Sequence, residues 1–539
     1  APRPALTAAG APLAVGGPRN RALVVTHSCH AIGLSAGCGT SRAGVAGIVS
    51  RVTQKLFDMP DPTDPLAAPA LMARAQDVVA KHAALLEPLA QLFAGRGETL
   101  YMVGGSVRDA MLGRGVHDLD FTTSARPDVT HAILEEWGDA VWDTGIEYGT
   151  ISAAKDGQQV EITTFRADTY DGESRNPVVA FGSTLEGDLV RRDFTINAMA
   201  IKLLPSGEHE FCDPLGGLTA LQNRMIDTPA EPEVSFGDDP LRMLRAARFA
   251  SQLEFGVDKR VVEAMTAMAG EINRITRERI QVELDKLLCG AAPWRGIDLL
   301  VETGLMEHIF PEISALKALG DEHNQHKDVY QHSLTVLKQA MDQEENGPDL
   351  VLRWAALLHD IGKPQTKRVR DNGQVTFHQH DVVGAKMARK RLRALKYSKQ
   401  DIKEISQLIY LHMRFYGFPE GEWTDSAVRR YVTDAGSLLP QLHKLVRADT
   451  TTRNKKKARW ISRAYDNLEQ RIEELAEKED LARVRPDLDG NEIMSILGIT
   501  PGPDVGKAWT FLKELRLDRG PLDHDTAVAE LKNWWKEQQ

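Results

Sequence analysis

Apolar and polar positions along this chain repeat with two different periods. From about residue 75 to 225, short runs with strand character alternate with helical stretches, and from about 236 onward nearly every segment has helical period. In the first region ETLYMV (Glu98–Val103) is rich in β-branched and aromatic residues and predicts a strand. Gly104 and Gly105 break it, and SVRDAML (Ser106–Leu112) predicts a short helix with Ser106 as its N-cap. HDLDFT (His117–Thr122) returns to strand, where side chains two apart share a face, so Asp118 and Asp120 point the same way. TISAAKDGQQVEITTF (Thr150–Phe165) predicts a hairpin that turns at Asp156-Gly157. In the second region DPLRMLRAARFASQL (Asp239–Leu253) spaces its apolar residues at i, i+3 and i+4 and sets Asp239 and Arg242 on one helix face.

Two kinds of chemistry ride on these elements. A strand, a glycine turn and a helix start together form a place where backbone N–H groups hold phosphate. The carboxylates of Asp118 and Asp120 repel each other unless a cation lies between them, and a hard divalent ion such as Mg²⁺ suits the pair. Phosphate cradle plus acidic pair points to chemistry on a nucleoside triphosphate. Glu161, on the neighbouring hairpin strand, is a candidate third acid, with a surface carboxylate paired to Arg166 as the alternative. Farther along, His332, the pair His359-Asp360, His380, His412 and Asp449 are spread over apolar helical segments. Imidazoles with a bridging carboxylate suit Mn²⁺, Fe, Ni²⁺ or Zn²⁺, and six ligands are enough for two ions. Lys363, one turn after the pair, is placed to anchor a phosphate.

Composition narrows the field. A chain of 539 residues exceeds one core and predicts three or four domains. No run of about 18 apolar residues occurs, so no membrane span is expected. A net charge of −10 is not that of a general nucleic-acid binder, so any RNA contact must rest on local patches. Two are present. KMARKRLRALKYSK (Lys386–Lys399) carries seven basic residues and no acidic one, including Lys386, Arg389, Lys390 and Arg393. The second, RNKKKAR (Arg453–Arg459), contains Lys455, Lys456 and Lys457. Such residues supply salt-sensitive phosphate contacts, with a solvated helix face as the plain alternative. Cys29, Cys38, Cys212 and Cys289 lack CxxC spacing, which fits a reducing cytoplasm. Residues 1–65, rich in Ala, Gly, Pro and Ser, predict disorder or an extension outside the fold, with Met59 as the expected functional start.

The string GGSVRDAMLGRGVHDLDF (Gly104–Phe121) resembles the signature of the tRNA nucleotidyltransferase and poly(A) polymerase family, within the polymerase-β-like nucleotidyltransferases. VRRDFTINAMA (Val190–Ala200) resembles the family's ribose- and phosphate-contacting segment, DPLGGL (Asp213–Leu218) its flexible joint, FGDDPLRMLRAARF (Phe236–Phe249) its base-recognition helix and RERIQVEL (Arg277–Leu284) the helix that props it. The resemblance implies that Asp118 and Asp120 hold Mg²⁺, and that Gly104, Gly105 and Arg108 meet the triphosphate. It further implies that Arg191, Arg192, Asp193 and Asn197 contact phosphate and sugar, and that Asp239 and Arg242, with Arg245 and Arg248 on the same helix, serve nucleotide selection. Cytosine and adenine both present an amino donor beside a ring-nitrogen acceptor, which an Asp/Arg pair can read. The family usually has Glu-Asp-x-x-Arg here, whereas this chain has Asp238-Asp239-x-x-Arg242. AALLHDIGKP (Ala355–Pro364) resembles the HD-domain phosphohydrolase motif.

The expected architecture is α+β: a polymerase-β-like nucleotidyltransferase head (75–225), an all-helical neck (226–315), a helical HD domain (316–475) and a helical tail (476–539). The implied activity is template-independent addition or repair of the tRNA 3′-terminal CCA from CTP and ATP, by two-metal in-line nucleotidyl transfer. The tRNA 3′ end is the implied partner, Mg²⁺ the head's ion, and a transition metal such as Mn²⁺ or Ni²⁺ the HD site's. The alternatives are a poly(A) polymerase, an enzyme adding only CC or only A, a metal phosphohydrolase working at the HD site, or an RNA-binding scaffold.

Overall fold

The hairpin at Asp156-Gly157 shows how local chemistry sets the sheet. Asp156 has φ 51° and Gly157 φ 77°, two consecutive left-handed residues of the kind that match strand twist. They join β5 (Thr150–Lys155) to β6 (Gln158–Thr164). The other strands of this eight-stranded sheet are β1 (Val24–Val25), β2 (Leu100–Val103), β3 (Leu119–Thr123), β4 (Ala140–Gly145), β7 (Ala200–Leu203) and β8 (His209–Cys212), in the order β1-β8-β7-β2-β3-β6-β5-β4. This is a computed structural model that describes residues 24–25 and 65–539, apart from 117, 167–179, 320–327, 416–422, 453 and 482–483. The expectations for the N-terminal extension, including a start at Met59, otherwise lie outside the described residues.

The strands β3 and β6 pair in parallel, with Asp120 in register with Glu161. Their alternate residues, Leu119, Phe121, Val160 and Ile162, are buried, so the acids between them face the other way. The predicted N-cap at Ser106 is corrected: the helix runs Gly105–Met111, with Gly104 as its N-cap. Ser106 is inside the first turn because a left-handed Gly104 starts the helix earlier than a hydroxyl cap would.

The chain divides into two compact units, residues 1–238 and 239–539. The second is almost wholly helical. Helix Leu241–Leu253 packs against Arg277–Leu288 and Pro293–Glu302. After it come Val329–Met341, Leu350–Leu358, His380–Ala394, Lys399–Leu411, Leu439–Ala448 and Lys455–Ala476. Three last helices, Gly490–Leu497, Pro503–Arg519 and His524–Gln538, share a core of Leu488, Ile493, Leu512 and Leu531. A buried ion pair ties the first part of this unit to the next. Arg353 bonds Glu344 through Nε (2.8 Å) and Nη2 (2.6 Å), and its Nη1 donates to the carbonyls of Leu288 (2.7 Å) and Gly290 (2.8 Å). Among the described residues no helix is long and apolar enough to cross a membrane.

Candidate active site and metal centre

Sequence spacing alone brings the glycine turn and the acidic pair near each other, and Ser106 fastens them. Its hydroxyl donates to the Asp118 carbonyl (2.9 Å) and accepts from the Asp120 N–H (2.9 Å). Asp118 is exposed and just precedes β3, while Asp120 is half-buried within it. Burial first, then Glu161, raises the Asp120 carboxyl to about 6, with Arg192 opposing and Asp118 adding to the rise. The exposed Glu161 stands in register with Asp120, so a third carboxylate lies beside the acidic pair, a chemistry that suits a hard cation.

Gly104 is where the three motifs meet. Its φ of 70° favours glycine, and a Cβ there would lie 3.1 Å from Arg192 Nη1 and 4.0 Å from Asp120 Oδ2. The arginine of the 190–200 segment and the acid of β3 therefore both stand over the glycine turn. Arg191 and Arg192 are held from below by Asp188, a buried residue that the sequence reading passed over. Arg108 is only 8% exposed. Its Nε and Nη2 donate to Asp109 (2.9 and 2.7 Å) and its Nη1 to Asn197 Oδ1 (2.5 Å). Asn197 Nδ2 in turn donates to Asp193 Oδ1 (2.9 Å). Arg108 thus braces Asn197 and Asp193 in this arrangement. The Asp213–Leu218 stretch, likened above to a flexible joint, is tightly held. Asp213 accepts from the N–H of Gly217 (2.7 Å) and Leu218 (2.9 Å), and a Cβ at Gly217 would meet the Thr195 carbonyl at 2.4 Å.

In the second unit Asp239 precedes its helix, which begins at Leu241, so the expectation of one shared helix face with Arg242 is corrected. Pro240 interrupts the helical hydrogen bonding and leaves Asp239 to cap the turn: Oδ1 accepts from Leu241 N–H (3.1 Å). Its Oδ2 accepts from Arg279 Nη2 (2.8 Å), a partner supplied by the propping helix that the sequence reading had not named. Arg242 is half-buried one turn on. Arg248 is buried and pairs with Glu283 (3.0 Å), and Arg245 lies 3.7 Å from the same carboxylate. Burial and this pairing make Arg248 a link between two helices, which corrects its expected contact with nucleotide.

All six His and Asp residues singled out in the HD segment converge. His332, His359 and Asp449 form one group and Asp360, His380 and His412 another, each with its ligand atoms within 4.8 Å. His359 Nε2 is 3.3 Å from His332 Nε2 and 3.2 Å from Asp360 Oδ2, and His380 Nε2 is 3.3 Å from Asp360 Oδ1. The Nδ1 atoms of His359, His380 and His412 bond the carbonyls of Ala356 (2.9 Å), Phe377 (2.8 Å) and Ile409 (2.6 Å). In the neutral ring each such bond makes Nδ1 the donor and turns the Nε2 lone pair inward, the disposition metal-binding imidazoles need. His332 Nδ1 reaches Thr451 Oγ1 (3.1 Å). His412 Nε2 is buried with no hydrogen-bond partner, an orphan that an ion would satisfy. Burial opposes a charge on His359, yet Asp360 and Asp449 raise it to about 10, while burial and His359 lower His412 to about 4. Lys363 Nζ bonds Asp360 Oδ2 at 2.6 Å, beside the cluster. The four basic residues Lys386, Arg389, Lys390 and Arg393 are exposed on helix His380–Ala394, and Lys455, Lys456 and Lys457 on the first turn of Lys455–Ala476.

Comparison with known proteins matches three stretches of the chain to family models. Residues 100–227 match the poly A polymerase head domain, 254–317 the probable RNA and SrmB-binding site of polymerase A, and 329–452 the HD domain. The A-adding tRNA nucleotidyltransferase of Deinococcus radiodurans is 34% identical over 425 residues, 77% of this chain and 91% of that protein. The CCA-adding enzyme of Levilactobacillus brevis is 42% identical over 225 residues, 42% of this chain and 55% of its own length. Among solved structures, the Bacillus stearothermophilus CCA-adding enzyme in complex with CTP superposes with a TM-score of 0.60 at 26% identity, covering 86% of this chain and 98% of that one.

Proposed function

The chain belongs to the tRNA nucleotidyltransferase and poly(A) polymerase family, and on that footing we propose that it completes or repairs the 3′-terminal CCA of tRNA from CTP and ATP. The observation that carries this reading is the meeting of Arg192, Asp120 and the glycine turn over one point, Gly104. The tRNA 3′-hydroxyl oxygen attacks the α-phosphorus in line, the bond to the β-phosphate breaks, and pyrophosphate leaves. Asp118 and Asp120, with Glu161, are the residues to hold Mg²⁺, which when bound lowers the hydroxyl's pKa and offsets charge on the phosphates. Arg191 and Arg192 suit bidentate grip of the triphosphate, and Gly104 lets backbone approach it. Asp193 and Asn197, braced by Arg108, are the sugar-facing pair. Asp239, oriented by Arg279, and Arg242 select the base, with Arg245 as a further contact. The exposed basic faces at 386–393 and 455–457 take the tRNA backbone. The scattered cysteines fit the cytoplasm as the working compartment.

A second reading concerns the same reaction. The Deinococcus relative, aligned over 91% of its length, is an A-adding enzyme, which favours addition of the terminal A alone as the alternative. The HD cluster is proposed as a separate centre for one or two transition ions such as Mn²⁺ or Ni²⁺, suited to phosphoester hydrolysis. Labelled CTP and ATP, singly and together, offered with Mg²⁺ to tRNA lacking its last three residues and to tRNA already ending in CC, test these readings. Two C followed by one A, lost in Asp118→Ala/Asp120→Ala, is the expected result. Addition of A only, to tRNA already ending in CC, would replace it with the second reading. Metal analysis of the same preparations should find transition metal in the wild type and not in His359→Ala.

A further inference from the structure

The residue under the two phosphate-facing arginines is assigned no part by any motif. Asp188 lies in the short helix Leu185–Val190 and its side chain is 0% exposed. Its Oδ1 accepts from Arg191 Nη2 (2.6 Å) and Nε (3.1 Å) and from the backbone N–H of Arg166 (3.3 Å), and its Oδ2 accepts from Arg192 Nη2 (3.0 Å). One carboxylate thus holds two guanidiniums, one oxygen to each. The spacing explains how: Arg191 and Arg192 stand at i+3 and i+4 from Asp188, both within reach across one helical turn. Without such an anion, adjacent like charges would splay apart, and a buried carboxylate without such cations would be costly. Burial alone would raise the Asp188 carboxyl, but Arg192 and Arg191 hold it below the ordinary range.

The grip is one-sided. Arg192 is held by Nη2, while its Nη1 stands over Gly104 and its Nε is buried without an acceptor. A guanidinium fixed through Nη2, with Nη1 set over a glycine turn, is placed to receive phosphate oxygens. We propose that Asp188 is a positioning residue for the triphosphate, the shared anchor that points Arg191 and Arg192 at the nucleotide without touching it. The proposal rests on the nucleotidyltransferase reading and deepens it.

Asp188→Asn keeps the shape and removes the charge. Expected is a rise of about tenfold or more in KM for CTP and ATP, the scale of a lost charged hydrogen bond, with kcat at saturating nucleotide within about threefold and KM for tRNA unchanged. Inorganic tripolyphosphate, titrated calorimetrically, should weaken by the same factor. In an Arg191→Gln/Arg192→Gln background, Asp188→Asn should then add little further loss. A lower kcat with unchanged KM, or unchanged tripolyphosphate affinity, would mean a merely structural role and overturn the proposal. Should Asp188→Asn not fold, Asp188→Glu, which moves the charge by one methylene, carries the same expectation and the same overturning result. Wild-type protein that binds tripolyphosphate but extends no tRNA would count against the functional reading alone, since the calorimetric comparison needs no turnover.

Discussion

Asp120 shows what a single side chain gains and loses at such a site. Its carboxyl, pushed up to about 6 by burial and by Glu161, is protonated below that pH and ionised above it. Only the ionised form can hold Mg²⁺, so metal affinity at the head should fall as pH drops through about 6, each bound ion releasing a proton there. Calorimetry of Mg²⁺ binding in two buffers of different ionisation enthalpy checks this, and the proton release should vanish in Asp120→Ala. At this scale the sequence was informative wherever chemistry and spacing coincide. The six His and Asp residues of the HD segment come together as their types and order suggested, whereas Asp118, expected within the strand, lies just before it. Asp188 and Arg279 were missed for a physical reason. Each is an ordinary charged residue whose importance comes from what it faces, and burial or a partner 40 positions away leaves no periodic trace. The i+3/i+4 spacing of Asp188 to two arginines was a visible hint. Ser106 was misread as a cap because a left-handed glycine outcompeted it for that position.

Among the elements, the turn at Asp156-Gly157 was the most legible, since two positive φ angles demand just such residues. Glu161 was placed on the strand neighbouring Asp120, but the parallel sense and register of β3 with β6 were not legible, because register between distant strands depends on packing and not on local preference. The link between helices Arg277–Leu288 and Leu350–Leu358 was likewise invisible, and it carries a clear energetic consequence. Arg353 and Glu344 are 5% and 7% exposed, and Arg353 also satisfies the Leu288 and Gly290 carbonyls. Removing one partner of a buried pair leaves the other charged and dry. Arg353→Ala should therefore destabilise this unit by about 3–5 kcal/mol, read from the midpoint of urea unfolding at unchanged m-value.

Across the whole molecule, an acidic chain carries restricted basic faces, which the proposed function assigns to RNA. If Lys455, Lys456 and Lys457 meet phosphates, changing all three to Ala should reduce the slope of log affinity for tRNA against log salt by about 2 to 3, whatever the tRNA's sequence. Filter binding between low and moderate salt reads this directly, and an unchanged slope would return the cluster to plain surface. The division of the chain after Asp238 and the exposed basic helices come from packing that composition alone did not reveal. The Arg353 tie also bears on where the polypeptide tolerates being severed. A cut made between 290 and 344 leaves two carbonyls on one fragment and the Arg353 guanidinium that donates to them on the other. The pieces should stay together after nicking and come apart only with denaturant. A gene split at that point would yield two products, and the helices between 239 and 290 would find the partner for those carbonyls only in the other product.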